Sequence, residues 1–178
     1  MKTVFLDIDT QIDFLFPAGA LYVPGAERLL PALVRLNRYA AEHGIPVVST
    51  MDAHAEDDLE FRVWPPHCIA GTQGQQKPAA LMLKGAQQII VEKRTIDVFS
   101  ETNLSRVLES LNGDRYVVYG VVTEYCVASA LAGLRATGKP IELVKDAIQH
   151  IDEAAAARVL ADFTSAGGRL TSVDSVAG

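Results

Sequence analysis

No stretch of this 178-residue chain approaches the ~20 consecutive apolar residues of a membrane-spanning helix, so no membrane partner is expected. Basic residues are also scarce: 16 Lys and Arg stand against 22 Asp and Glu, a net charge of −6. With no basic cluster to meet a phosphate backbone, nucleic acid is excluded as a partner. No glycine pattern suits a dinucleotide turn or a Walker-type phosphate loop. The first acid, Asp7, comes too early for a signal peptide. The two cysteines, Cys68 and Cys126, are therefore expected as free thiols in a reducing cytoplasm rather than as a disulfide.

What is present is apolar: 49% of the residues are hydrophobic, enough for a sizeable core in one domain over 1–178. Short apolar runs at Val4–Ile8, Ile45–Thr50, Gln88–Glu92, Tyr116–Tyr119, Ile141–Val144 and around Leu170 read as strands. Helical spacing fills the gaps between them. Leu29, Leu30, Leu33, Leu36 and Ala40 share one face of a helix closed by Gly44. Ser100 or Thr102 is expected to cap a helix carrying Leu104, Val107, Leu108 and Leu111. Asp152 caps another that ends at Gly167-Gly168. Strands that are continuously apolar, alternating with helices, predict an α/β fold. It is a three-layer, doubly wound, six-stranded parallel sheet with helices on both faces.

Such sheets carry their sites beyond the carboxyl ends of the strands. The polar residues expected there are Asp9, Asp52 with His54, Lys93, Cys126, and Lys145 with Asp146. Cys126 follows Gly120-Val121-Val122-Thr123-Glu124-Tyr125, where a buried strand turns into a helix for which Thr123 is the expected N-cap. A helix start favours a thiolate, which makes Cys126 a candidate nucleophile. The plainer reading of one cysteine on a helix is a small core hydrophobe. A thiol nucleophile needs a base and a stabilised oxyanion. No histidine is obviously paired with Cys126, and Asp9 is the better candidate base, with Lys93 to orient it. Taken singly, Asp9 also reads as a turn-capping acid and Lys93 as an exposed charge beside Arg94.

The stretch Asp52–Lys77 has no clear period, and loops of that length in compact domains usually carry function. Asp52-Ala53-His54 puts two ligand-capable side chains on one side of an extended segment. His67 follows in Trp64-Pro65-Pro66-His67-Cys68, where two prolines stiffen the approach. Asp, Glu and His together suit zinc, iron or manganese. Glu56, Asp57, Asp58 and Glu60 are all candidates for a further oxygen. The alternative is a solvated acidic loop holding two unrelated histidines.

Four separated segments resemble the isochorismatase-like cysteine hydrolases, and within that family its nicotinamidase (pyrazinamidase) branch. They are Asp9-Thr10-Gln11-Ile12-Asp13-Phe14, the Asp52–Thr72 loop with its Trp-Pro-Pro-His segment, Lys93, and Gly120–Val127. They occur in the family's order over nearly the whole chain. The resemblance implies strand order 3-2-1-4-5-6 and a catalytic triad of Asp9, Lys93 and Cys126. It also implies a cis Val121–Val122 peptide and an oxyanion hole from the amides of Val122 and Cys126. Asp52, His54 and His67 would hold one divalent ion, zinc by preference, with Glu60 where many relatives have a histidine. Phe14 and Trp64 would line the pocket for the ring of nicotinamide, and a homo-oligomer is compatible with the likeness. Two other readings remain: a family amidase acting on a carbamoyl or ureido substrate, and a redox-sensing thiol with a metal-binding loop.

Overall fold

The computed structural model describes residues 1–100 and 102–178, Ala86 by its backbone only. Its six strands are β1 (Thr3–Ile8), β2 (Val47–Asp52), β3 (Gln88–Lys93), β4 (Arg115–Val121), β5 (Ile141–Gln149) and β6 (Arg169–Thr171). All pair in parallel, in the order β3-β2-β1-β4-β5-β6. The helices are α1 (Ile12–Leu15), α2 (Leu30–Glu42), α3 (Leu104–Leu111), α4 (Ala128–Arg135), α5 (Glu153–Ser165) and α6 (Val173–Ala177).

The period of two along each strand sorts the core onto both faces of the sheet. Phe5, Val47, Val117 and Tyr119 pack with Leu33, Leu36 and Ala40 of α2 and Val173 of α6. Their neighbours Val4, Leu6, Val48 and Val118 pack against Leu108 of α3, Leu131 and Leu134 of α4, and Phe163 of α5. Both faces are covered, so every residue of β1 is buried. That is why the strand reads as an unbroken apolar run rather than an alternating one. None of the described helices is long and apolar enough to cross a membrane.

Several expected boundaries differ. β5 runs on to Gln149, past Lys145 and Asp146, which interrupt its apolar run because they lie on its exposed stretch. They therefore do not sit at a strand end. Asp146 instead accepts a hydrogen bond from the Val173 amide at the start of α6. Thr123 is not an N-cap: its hydroxyl donates to the Gln149 carbonyl and ties the cysteine turn to β5. At α3 the capping position is Asn103, which makes no side-chain cap, while the Thr102 hydroxyl accepts from the Leu104 amide just beyond it. Asp152 caps α5 as expected, accepting from the Ala155 amide. The short α1 and α6 had no periodicity to announce them.

Candidate active site

The first two strand ends meet over β1. After Ile8 the chain breaks from the sheet at Asp9, whose φ of 48° lies in the left-handed region. This turns the Asp9 carboxylate back over the ends of its neighbours. Its amide bonds to the Thr50 carbonyl and hydroxyl, and the Thr50 hydroxyl donates to Oδ1 at 2.6 Å. Asp52 and Lys93 are the last residues of β2 and β3 and stand side by side in the ladder. The Lys93 ammonium reaches Asp9 Oδ2 at 2.9 Å, Asp52 Oδ1, and Cys126 Sγ at 3.5 Å. Lys93 is 3% exposed, which sets aside its reading as a surface charge.

Cys126 arrives from β4 through a tight passage. Gly120 has φ 121°, and a Cβ there would stand 2.1 Å from the Ile8 carbonyl oxygen, so only glycine lets β4 run this close to β1. The Val121–Val122 peptide is cis. The chain then makes a π-helical turn, Thr123–Val127, before α4 begins. The amides of Tyr125 and Val127 converge on the Val122 carbonyl at 3.1 Å each, passing over the Cys126 amide between them. Wide turns of this kind recur at functional sites.

Burial governs the charges. It pushes the Asp9 carboxyl above its ordinary value, more than the Lys93 ammonium pulls it down. It also holds the Cys126 thiol well above its ordinary value, against the same ammonium. The expected helix-start thiolate is thus not the resting form, because desolvation outweighs the pull of the Lys93 ammonium. For Lys93, burial favours the neutral amine, but the Asp9 and Asp52 carboxylates outweigh it and hold the ammonium well above its usual range. A buried, protonated thiol is a poor peroxide sensor, which weighs against the redox reading.

Asp52 belongs to a second cluster. Its Oδ1 faces Lys93, and its Oδ2 lies 3.8 Å from Nε2 of both His54 and His67. The ligand atoms of the three residues fall within 4.8 Å of one another. Both imidazoles are held from behind: His54 Nδ1 by Asp58 Oδ2 at 3.1 Å, and His67 Nδ1 by the Pro65 carbonyl at 2.8 Å. His54 Nε2 is buried without any hydrogen-bond partner, an unmet lone pair aimed at the middle of the cluster. These features suit a divalent ion: two imidazoles with oriented rear nitrogens, one carboxylate, and an orphaned ligand atom. Glu60 Oε1 is 4.0 Å from His67 Nε2. Asp58 orients His54 instead of facing the centre, and Glu56 and Asp57 are exposed.

Between the clusters opens a cleft to the solvent. Cys126, Asp9, Asp52, Glu60 and His67 line its polar side, and Phe14 and Trp64 its apolar side. Tyr125, Ile96, Leu21 and Ile151 line it too, and the sequence reading missed them. Tyr125 alone carried a signal, being next to Cys126; it meets Trp64 edge to face at 5.3 Å. His43 and His150 do not line the cleft.

A family model of the isochorismatase domain matches residues 3–175. The nicotinamidase of Acinetobacter baylyi is 27% identical over 176 residues, covering 82% of this chain and 80% of that protein. The pyrazinamidase of Pyrococcus horikoshii, solved in complex with zinc, superposes with a TM-score of 0.89 at 27% identity. That match covers 97% of this chain and 99% of the other. The N-carbamoylsarcosine amidase of Thermoplasma acidophilum gives 0.87 at 26% identity, over the whole of both chains. With the domain model spanning almost the entire sequence and amidases among its relatives, the chain belongs to the isochorismatase family and is an amidohydrolase within it.

Proposed function

We propose that the protein is a nicotinamidase, hydrolysing nicotinamide to nicotinate and ammonia through a thioester on Cys126. The observation that carries this reading is the Asp52–His54–His67 cluster, of which Asp52 and His67 line the same cleft as the thiol. Asp9 takes the thiol proton, and the sulfur attacks the amide carbon. The amides of Val122 and Cys126 hold the oxyanion, and Asp9 returns the proton to the departing ammonia. Water then cleaves the thioester with Asp9 as base. The raised Asp9 pKa suits an acid that must take and give a proton in one cycle. Lys93 keeps Asp9 in place and balances its charge.

Asp52, His54 and His67, with Glu60 as a fourth ligand, would hold one divalent ion, zinc ahead of iron or manganese. Bound there, the ion would supply a Lewis-acid contact for a ring nitrogen, positioning substrate rather than activating the nucleophile. Phe14 and Trp64 would flank the ring.

The carbamoyl alternative has structural company in the N-carbamoylsarcosine amidase, but the lining disfavours it. The charged residues on the cleft are Asp9, Asp52 and Glu60, and no lysine or arginine lines it among the described residues. A substrate bearing its own carboxylate would find no lysine or arginine among the described lining residues to pair with it, whereas nicotinamide is neutral and needs none. The reading extends to a cytoplasmic enzyme of NAD salvage. Ammonia release from nicotinamide, pyrazinamide and carbamoyl amino acids, with and without a chelator, tests the proposal. Turnover of nicotinamide that falls on chelation supports it, and turnover of the carbamoyl compounds alone would overturn it.

A further inference from the structure

We infer that Gln11 is the positioning residue for Asp52, and through it for both halves of the site. β1 leaves the ladder early, its last pair with β2 being Asp7 with Ser49. Past that point β2 has lost its neighbour on one side. At Thr50 the Asp9 amide still supplies a partner. At Asp52 no β1 backbone remains, and the carboxamide of Gln11 stands in for it. Its Oε1 accepts from the Asp52 amide at 2.7 Å, and its Nε2 donates to the Asp52 carbonyl at 2.8 Å. The same Nε2 donates to the Gln75 carbonyl at 2.7 Å, joining the loop to the clamp. A side-chain amide has the donor and acceptor of a peptide group, so it completes the missing rung.

Gln11 is fully buried, and its carboxamide touches neither the cleft nor any proposed ligand atom. What it fixes is the main chain of the residue that divides its carboxylate between Lys93 and the metal cluster. Without the clamp, the Asp52 amide and carbonyl would be buried without partners, and the backbone would have to shift to meet them. Either movement swings a carboxylate that must stay on target for two neighbours. Second-layer groups of this kind typically govern metal affinity by about 10- to 100-fold.

The inference rests on the metal reading above for one of its two readouts, and the test separates them. Three variants are compared with the parent chain: Gln11→Ala, Gln11→Glu and Asn37→Ala. Gln11→Glu keeps the size and the acceptor but loses the donors, so it guards against a collapsed core. Asn37 is a buried amide bonded to the Leu81 carbonyl and the Tyr119 hydroxyl, and it serves as the control for plain loss of stability. Cobalt(II) affinity and the visible spectrum of the cobalt-loaded protein are measured alongside hydrogen exchange of the Asp52 amide in chelated protein. Both Gln11 variants should bind cobalt at least tenfold more weakly, with an altered spectrum. Asp52 exchange should rise at least tenfold in Gln11→Ala beyond what Asn37→Ala shows. Parent-like affinity and spectrum in both Gln11 variants would overturn the inference. If the parent chain binds no cobalt, the metal reading fails, and the exchange result alone decides whether Gln11 holds Asp52.

Discussion

Two buried acid–lysine pairs are built on acids two residues apart, Asp7 on β1 and Asp9 just past its end, and only the second faces the cleft. Asp7 meets Lys77 at 3.2 Å. It also accepts from the Thr10 hydroxyl at 2.7 Å and the Ser49 hydroxyl at 3.0 Å, while Lys77 donates to Thr10. Both carboxylate oxygens are satisfied, and Asp7 is fully buried. Asp9 meets Lys93 at 2.9 Å through its Oδ2, but among the described residues no hydroxyl bonds to that oxygen, which faces only the ammonium and the Cys126 thiol. Its lysine is shared with Asp52 and Cys126. A saturated network rigidifies the fold. One whose carboxylate oxygen faces an ammonium and a thiol, with no hydroxyl on it, has somewhere to put a proton. The difference lies less in residue type than in which carboxylate oxygens are tied down by hydroxyls: both on Asp7, only Oδ1 on Asp9.

The largest effect expected on this contrast comes from the sulfur itself. Cys126→Ala should lower kcat by about 10,000-fold or more, with nicotinate binding, followed by calorimetry, retained. Next is the base: Asp9→Asn should cut kcat by about 100- to 10,000-fold with little change in melting temperature. Asp7→Asn should do the opposite. It leaves a buried ammonium without its counter-charge, costing about 3–5 kcal/mol in chemical denaturation, while the remaining folded enzyme stays active. If the two asparagine variants behave alike, the distinction between the pairs collapses.

His54→Ala should lose the bound ion, about one per chain by elemental analysis in the parent, and lower activity by about 10- to 100-fold. Stoichiometric metal in that variant would count against the cluster. The mildest perturbation is acid. The Asp9 pKa lies above its ordinary 3.8, and only the ionised form can take the thiol proton. The acid limb of kcat/KM should therefore be centred above 3.8, with activity falling as pH drops through the raised value and recovering on return. Asp9→Asn should remove that limb from whatever activity remains.

The layered fold was legible because burial on both faces makes each strand a continuous apolar run, and the site because its residues stand at the ends of those runs. β5 was read short since Lys145 and Asp146 interrupt its pattern, although the strand runs on and resumes pairing with β4 at Ile148 after a shift in register. Pairing leaves no mark on side-chain type. The Asp7–Lys77 pair was missed for a related reason. Asp7 sits inside an apolar run and Lys77 in a loop, and only the folded chain brings them together. The Gln11 clamp was hidden likewise, since a glutamine standing in for a missing strand has no sequence period. That Cys126, Asp9 and Lys93 stand at strand ends was legible from position, but their protonation was not, because desolvation depends on packing.

Rapid-quench mass spectrometry of the protein mixed with nicotinamide tests the central claim most directly. The account predicts a nicotinoyl thioester mapped to Cys126, formed and consumed at rates matching ammonia release and absent from Cys126→Ala. Ammonia released from nicotinamide without that adduct, or with the acyl group on another residue, would contradict it.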